Sequence, residues 1–239
     1  MDIGKYINNK SMKLFKEFDK YDFQYEQAIY KLLDNNPHIN DMILPVVNLI
    51  YQKIEIEIKF LIAEPHIRKE TFKELGISNT HDLKSLFDRE ELKKYYEDID
   101  VCEHYYNEYK DNVLYFYEIM GKQSFLNSRY PIETNKNEIT LKNNIDISEL
   151  YQRWTRYCLV YSKIIQIYIA YSSFNIIVYL KKLGIINDEI EEENSINQLI
   201  EEYYSDYPID DYQEERKESY SLIKLFIKRN KYFDDSYIF

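Results

Sequence analysis

Apolar residues recur along this chain at intervals of three and four, the spacing of a helix with one buried face. From Ser11 to Leu33 that face is marked by Phe15, Phe18, Tyr25, Ile29 and Leu32, and Asn35, Asn36 and Pro37 end it. A second helix is predicted to start at Asn40 or Asp41, either of which can cap it. Pro45 lies close to its start, and it runs to about Ala63. Its stripe of Val46, Leu49, Ile50, Ile54, Ile58, Leu61 and Ile62 is broad. Glu55 and Lys59 stand four apart in the order that favours a helical ion pair, whereas Glu57 falls nearer the stripe. Pro65 opens a short helix that Gly76 closes. Ser78 to His81 reads as a turn, with Thr80 as N-cap of a helix through Leu83, Leu86 and Phe87. Arg89 to Met120 is helical and rich in tyrosine, with a break near Asp98 to Asp100.

The periodicity lapses at Gly121 and returns only near residue 145. Short strands around Ile132 and Ile139 fit this stretch, which is long enough to be a functional or docked loop. Asp146 followed by Glu149 is a capping-box pattern with Asp in place of Ser or Thr, and a long helix follows to about Leu183, where Gly184 stops it. At about 1.5 Å per residue that helix spans roughly 50 Å, the length of a bundle's spine or of an arm reaching into a dimer contact. The acidic run Glu189 to Glu193 reads as a solvated helix start, and Tyr212 to Arg229 is the last helix. The expected fold class is therefore all-α: a helical bundle with one long central helix and one irregular loop at about 121–145. No repeat or linker divides residues 1–239, so a single domain is expected.

Composition sharpens this picture. Only 4 glycines and 5 prolines leave too few turn formers for a β-sandwich or a doubly wound sheet. The net charge of −11 opposes general binding to phosphate backbones and leaves room only for a local basic pocket. Cys102 and Cys158 match no metal or redox spacing and read as buried free thiols. Met1 to Lys10 is too polar for a signal peptide. The most apolar stretch, Ile164 to Leu180, carries Gln166, Ser172, Ser173 and Asn175, so no membrane span is expected and the cytoplasm is the expected compartment. The series Tyr95, Tyr96, Tyr105, Tyr106, Tyr109, Tyr115 and Tyr117 has the spacing of core and interface residues; base stacking would call for interleaved Lys and Arg.

No Gly-rich phosphate loop, His-Glu-x-x-His motif or Gly-x-Ser-x-Gly elbow is present, and no cofactor or metal is expected. Three segments stand out: Ile56-Glu57-Ile58-Lys59-Phe60-Leu61, then Thr80-His81-Asp82-Leu83, then Ser128-Arg129-Tyr130-Pro131. In their order and spacing they resemble a group of bacterial HEPN-like proteins (higher eukaryotes and prokaryotes nucleotide-binding domain), over roughly Leu44 to Leu150. The resemblance implies a helical bundle, a homodimer, and a role in phage defence or a toxin–antitoxin system. Partners would be RNA or a nucleotide and a protein partner or antitoxin. Many members of the family are metal-independent ribonucleases marked by an Arg, four to six intervening residues and a His. This chain departs from that signature: Arg68 precedes His81 by thirteen positions and Arg89 precedes His104 by fifteen. Lys59 and His66 have the required gap, but Lys does not replace Arg at a phosphate, and Pro65 interrupts the helix.

The chemistry itself asks for residue types. A histidine can take the proton of a 2′-hydroxyl or protonate the leaving oxygen near neutral pH, and a cation must stabilise the phosphorane. His81, Arg129 and Lys59 are the candidates for these catalytic parts, with Glu57 orienting His81 and Tyr130 contacting substrate. Each has a plainer reading. His81 beside a capping Thr can simply bond backbone, Arg129 can anchor its loop on a buried carboxylate such as Glu57, and Tyr130 can pack on the bundle. Lys59 can be only the partner of Glu55. The rival function is a non-catalytic helical module that binds a partner protein or a nucleotide.

Overall fold

A computed structural model describes residues 9–34, 39–63, 76–77, 79–93, 96, 100–129, 145–205 and 212–229. The described residues form eight helices: α1 (Asn9–Leu33), α2 (Ile39–Ala63), α3 (Leu83–Phe87), α4 (Glu90–Lys93), α5 (Asp100–Arg129), α6 (Ile147–Lys182), α7 (Glu189–Tyr203) and α8 (Gln213–Lys228). Among them there is no strand, so the protein is all-α, with one long helix, α6. The strands expected around Ile132 and Ile139 lie outside the described residues, as does the helix expected after Pro65.

Several boundaries differ from the sequence reading for identifiable reasons. α2 begins at Ile39, so Asn40 and Asp41 sit in its first turn and are not caps. Pro45 lies in the second turn, where it removes one backbone donor without ending the helix. α5 runs through Gly121 to Arg129, so the irregular stretch starts later than expected. A helical glycine costs about 1 kcal/mol against alanine, too little to stop a helix of this length. α6 covers 36 residues, about 54 Å at about 1.5 Å per residue. Asp146 accepts from the Ser148 amide at 2.8 Å at its start. Gly184, at φ 65°, closes its end, where the Ile185 amide reaches back to the Leu180 carbonyl at 2.9 Å. By length and composition α6 would also cross a membrane, and 72% of its most apolar window is buried within the protein, as in a core helix.

The chain packs as two compact units, residues 16–162 and residues 1–15 with 163–239. In the first unit α2 packs against α3, α4 and α5. Its core holds Ile54, Ile58, Val113, Phe116 and Trp154, all fully buried. Trp154 stacks on Tyr157, and Tyr157 on Tyr161, at centroid distances of 5.6 and 6.0 Å. Tyr96 and Tyr109 are buried, and Tyr106 stacks against Tyr96 at 4.7 Å, so these tyrosines build core. Cys102 is buried and Cys158 half-buried, and neither is in a disulfide.

In the second unit, Phe174 and Phe226 pack at 5.9 Å, and Tyr203 donates to Ser172 at 3.0 Å. The acidic start of α7 is not uniformly solvated. Asp188 caps the helix by accepting from the Glu191 amide, but Glu192 turns inward and is 6% exposed. It meets Lys181 of α6 and Lys224 of α8, the latter at 2.8 Å. Burial pushes its carboxyl up, but the hydrogen bonds and charges of the two ammoniums more than offset this and hold it below its ordinary value of 4.5. A carboxyl with a depressed folded-state pKa contributes stability above its unfolded pKa and loses it as pH falls through the folded one. Amide protection in α7 and α8, corrected for intrinsic exchange, should therefore weaken as pH drops below 4.5. In Glu192→Gln that pH contrast should shrink. An unchanged contrast would remove Glu192 from the account.

Candidate active site

The turn before α3 is built to present one side chain. Gly76 adopts φ 69°, a left-handed conformation that suits glycine. Ile77 is then buried, and the Thr80 amide returns to the Ile77 carbonyl at 3.2 Å. Thr80 is not the N-cap that the sequence suggested: its hydroxyl donates to the Gly76 carbonyl at 3.1 Å. Asp82 caps α3, accepting from the amides of Lys84 and Ser85 at 3.1 and 3.3 Å. Leu83, Leu86 and Phe87 bury the other face of α3. Asp82→Ala should cost about 1 kcal/mol of stability in denaturant unfolding, the usual loss for a cap. A wild-type unfolding midpoint would show that the cap holds nothing.

This turn lays His81 against α2. Its Nδ1 stands 2.9 Å from Glu55 Oε1 and 3.1 Å from Glu55 Oε2. The same Oε1 accepts from Lys59 Nζ at 2.7 Å. Glu55 and Lys59 expose only 7% and 8% of their side chains, His81 23%. One carboxylate thus joins a partly exposed imidazole and a nearly buried ammonium. With Nδ1–H donated to Glu55, proton exchange with a substrate falls to Nε2. Among the described residues no group of three His, Cys, Asp or Glu is arranged to hold a metal ion. Among the described residues, Lys59 is the cation that shares the Glu55 carboxylate with His81.

Glu57 is not part of this group, and the role assigned to it from sequence is corrected. Two helical positions apart turns a side chain by about 200°, so Glu57 faces away from Glu55 into the core. There it is fully buried, meets Lys53 of the preceding turn, and accepts from the Tyr157 hydroxyl. Lys53 also reaches Asp22 of α1 at 2.7 Å and lies 5.7 and 5.1 Å from the Trp154 and Tyr161 rings. Burial pushes Glu57 well above the ordinary carboxyl range despite Lys53, and hydrogen bonding to Asp22 adds to this. Burial alone would lower Lys53, but the Glu57 and Asp22 carboxylates raise it. Lys53 thus stands between two carboxyls in the core, and its charge is set against both Asp22 and Glu57.

Arg129 ends α5, and its side chain, like all of Tyr130, lies outside the described residues. Along α5 twelve residues separate Arg129 from Tyr117, about 18 Å at about 1.5 Å per residue. α2 and α5 run antiparallel: Tyr109 meets Tyr157 at the level of Glu57, and Tyr117 acts on Tyr51, six residues earlier on α2. The rise from Tyr117 to Arg129 thus leads away from Glu55 and Lys59. The residue that sequence reasoning passed over is Glu55, although its spacing to Lys59 had marked the two as partners.

No family model, no curated protein and no solved structure matches the chain.

Proposed function

We propose that the protein is a HEPN-like component of a bacterial phage-defence or toxin–antitoxin system, acting in the cytoplasm as a metal-independent ribonuclease. The observation that carries this reading is the Glu55-centred contact between His81 and Lys59. His81 Nε2 would take the 2′-hydroxyl proton and return one to the leaving oxygen, while Glu55 holds the ring and stabilises the imidazolium. Lys59 supplies positive charge for the phosphorane. A homodimer, with RNA as substrate and an antitoxin as protein partner, belongs to the same proposal. The test is growth arrest on expression, combined with cleavage of RNA by purified protein in the presence of a chelator. Arrest and cleavage that both vanish in folded His81→Ala support the reading; toxicity unchanged in that variant overturns it.

A second reading has its own observation. Glu55 neutralises Lys59, and both are over nine-tenths buried, so the cluster also serves as a tie that fastens the 76–82 turn to α2. On that reading the bundle is a non-catalytic module binding a partner protein or a nucleotide. It is favoured if expression of the wild-type chain is harmless and no RNA is cut.

A further inference from the structure

Tyr51, Glu55 and Lys59 occupy successive turns of one face of α2, at i, i+4 and i+8. Glu55 holds the His81 ring and Lys59 holds Glu55. Tyr51 completes the series from the other side. Its side chain is fully buried, and its hydroxyl donates to the backbone carbonyl of His81 at 3.0 Å. Burial pushes the phenol above its ordinary range, aided by Asp82, Glu55 and Tyr117 and opposed by a backbone hydrogen bond to Leu83. The group is therefore a donor throughout the pH range in which histidine chemistry operates.

We infer that Tyr51 is a positioning residue for His81: it fixes the backbone from which the imidazole projects, so that the Nδ1–H tautomer is held on Glu55. This inference rests on the ribonuclease reading for its kinetic consequence, but not for its spectroscopic one. A ring held by Glu55 alone loses its hydrogen bond to the carboxylate whenever its backbone drifts within the turn. Two restraints from one rigid helix remove that freedom, and a general base needs its geometry held to about half an ångström. The hydroxyl holds the His81 backbone carbonyl, so its loss should act on turnover and not on substrate binding.

The experiment compares wild-type protein with Tyr51→Phe in two measurements. The first is the ring ¹⁵N spectrum of His81, which distinguishes the Nδ1–H from the Nε2–H tautomer. In the wild type the Nδ1–H form should dominate, and in Tyr51→Phe a mixture should appear. The second is RNA cleavage, where kcat should fall about tenfold with KM unchanged, the loss expected for about 1.4 kcal/mol. An unchanged tautomer in a folded Tyr51→Phe protein overturns the inference, whatever the kinetics. If the wild type cleaves no RNA, the ribonuclease reading falls, and the tautomer measurement still decides the role of Tyr51. Should Tyr51→Phe not fold, the wild type decides alone. A slowly exchanging Tyr51 hydroxyl proton with a nuclear Overhauser contact to the 80–82 turn supports the inference, and its absence overturns it.

Discussion

Replacing Lys53 by methionine should cost the first unit about 3–5 kcal/mol of stability, the usual loss when one partner of a buried ion pair is removed. The size follows from what is left behind. The Lys53 ammonium faces Asp22 and the fully buried Glu57, and it also opposes the raised pKa of the half-buried Glu26. Methionine fills nearly the same volume, so packing is largely conserved and the loss is electrostatic. Trp154 is the chain's single tryptophan, and Lys53 Nζ lies 5.7 Å from its ring, so fluorescence reports this cluster directly in denaturant unfolding. A control separates the pair from the burial itself. Combining Lys53→Met with Asp22→Leu and Glu57→Met removes every charge of the trio, and such apolar replacements are often neutral or stabilising. The triple variant should thus recover most of the loss. If Lys53→Met unfolds at the wild-type denaturant concentration, the buried cluster contributes nothing to the fold.

What the sequence made legible, and what it hid, divides along a physical line. Helical periodicity, the Asp146 start of α6 and its Gly184 stop are local properties, and they were read with small errors at the ends. Gly121 does not end α5, because a helical glycine costs only about 1 kcal/mol. Within the candidate site, Glu55 and Lys59 were legible as an i, i+4 pair because helix geometry alone brings them together. The same geometry excludes Glu57 from a site that contains Lys59, since positions two apart point to opposite faces. The approach of His81 to Glu55 was not legible. It depends on Gly76, on the Asp82 cap and on buried Ile77, all of which position a turn 26 residues away from Glu55. Lys53 carries no sequence mark of burial either. Its partner Asp22 lies on another helix, and only the packing of α1 on α2 brings them to 2.7 Å. Likewise the run at Glu189 to Glu193 reads as solvent-facing until Lys181 and Lys224 arrive from two other helices.

The second large effect concerns His81 and Glu55 together. His81→Ala should lower RNA cleavage by about 10²–10⁴-fold, the range lost with a general acid–base group. Glu55→Gln should come close to that loss although it removes no proton-transfer group. Glutamine presents an amide NH₂ as well as a carbonyl, and the amide can donate to Nδ1. That donation holds the Nε2–H tautomer, which cannot accept a proton from a 2′-hydroxyl, and the penalty for a wrong tautomer in a histidine–carboxylate pair reaches about 10⁴. Glutamine also releases Lys59 from its carboxylate, which a purely structural tie would register as lost stability. The two readings of the cluster therefore part on one comparison. If the cluster is catalytic, Glu55→Gln loses cleavage far out of proportion to any shift in its unfolding midpoint, and Lys59→Arg keeps more activity than Lys59→Met, because the charge at the phosphate is retained. If it only fastens the turn to α2, the unfolding midpoint moves in every variant, and expression of the wild-type chain leaves growth and RNA intact.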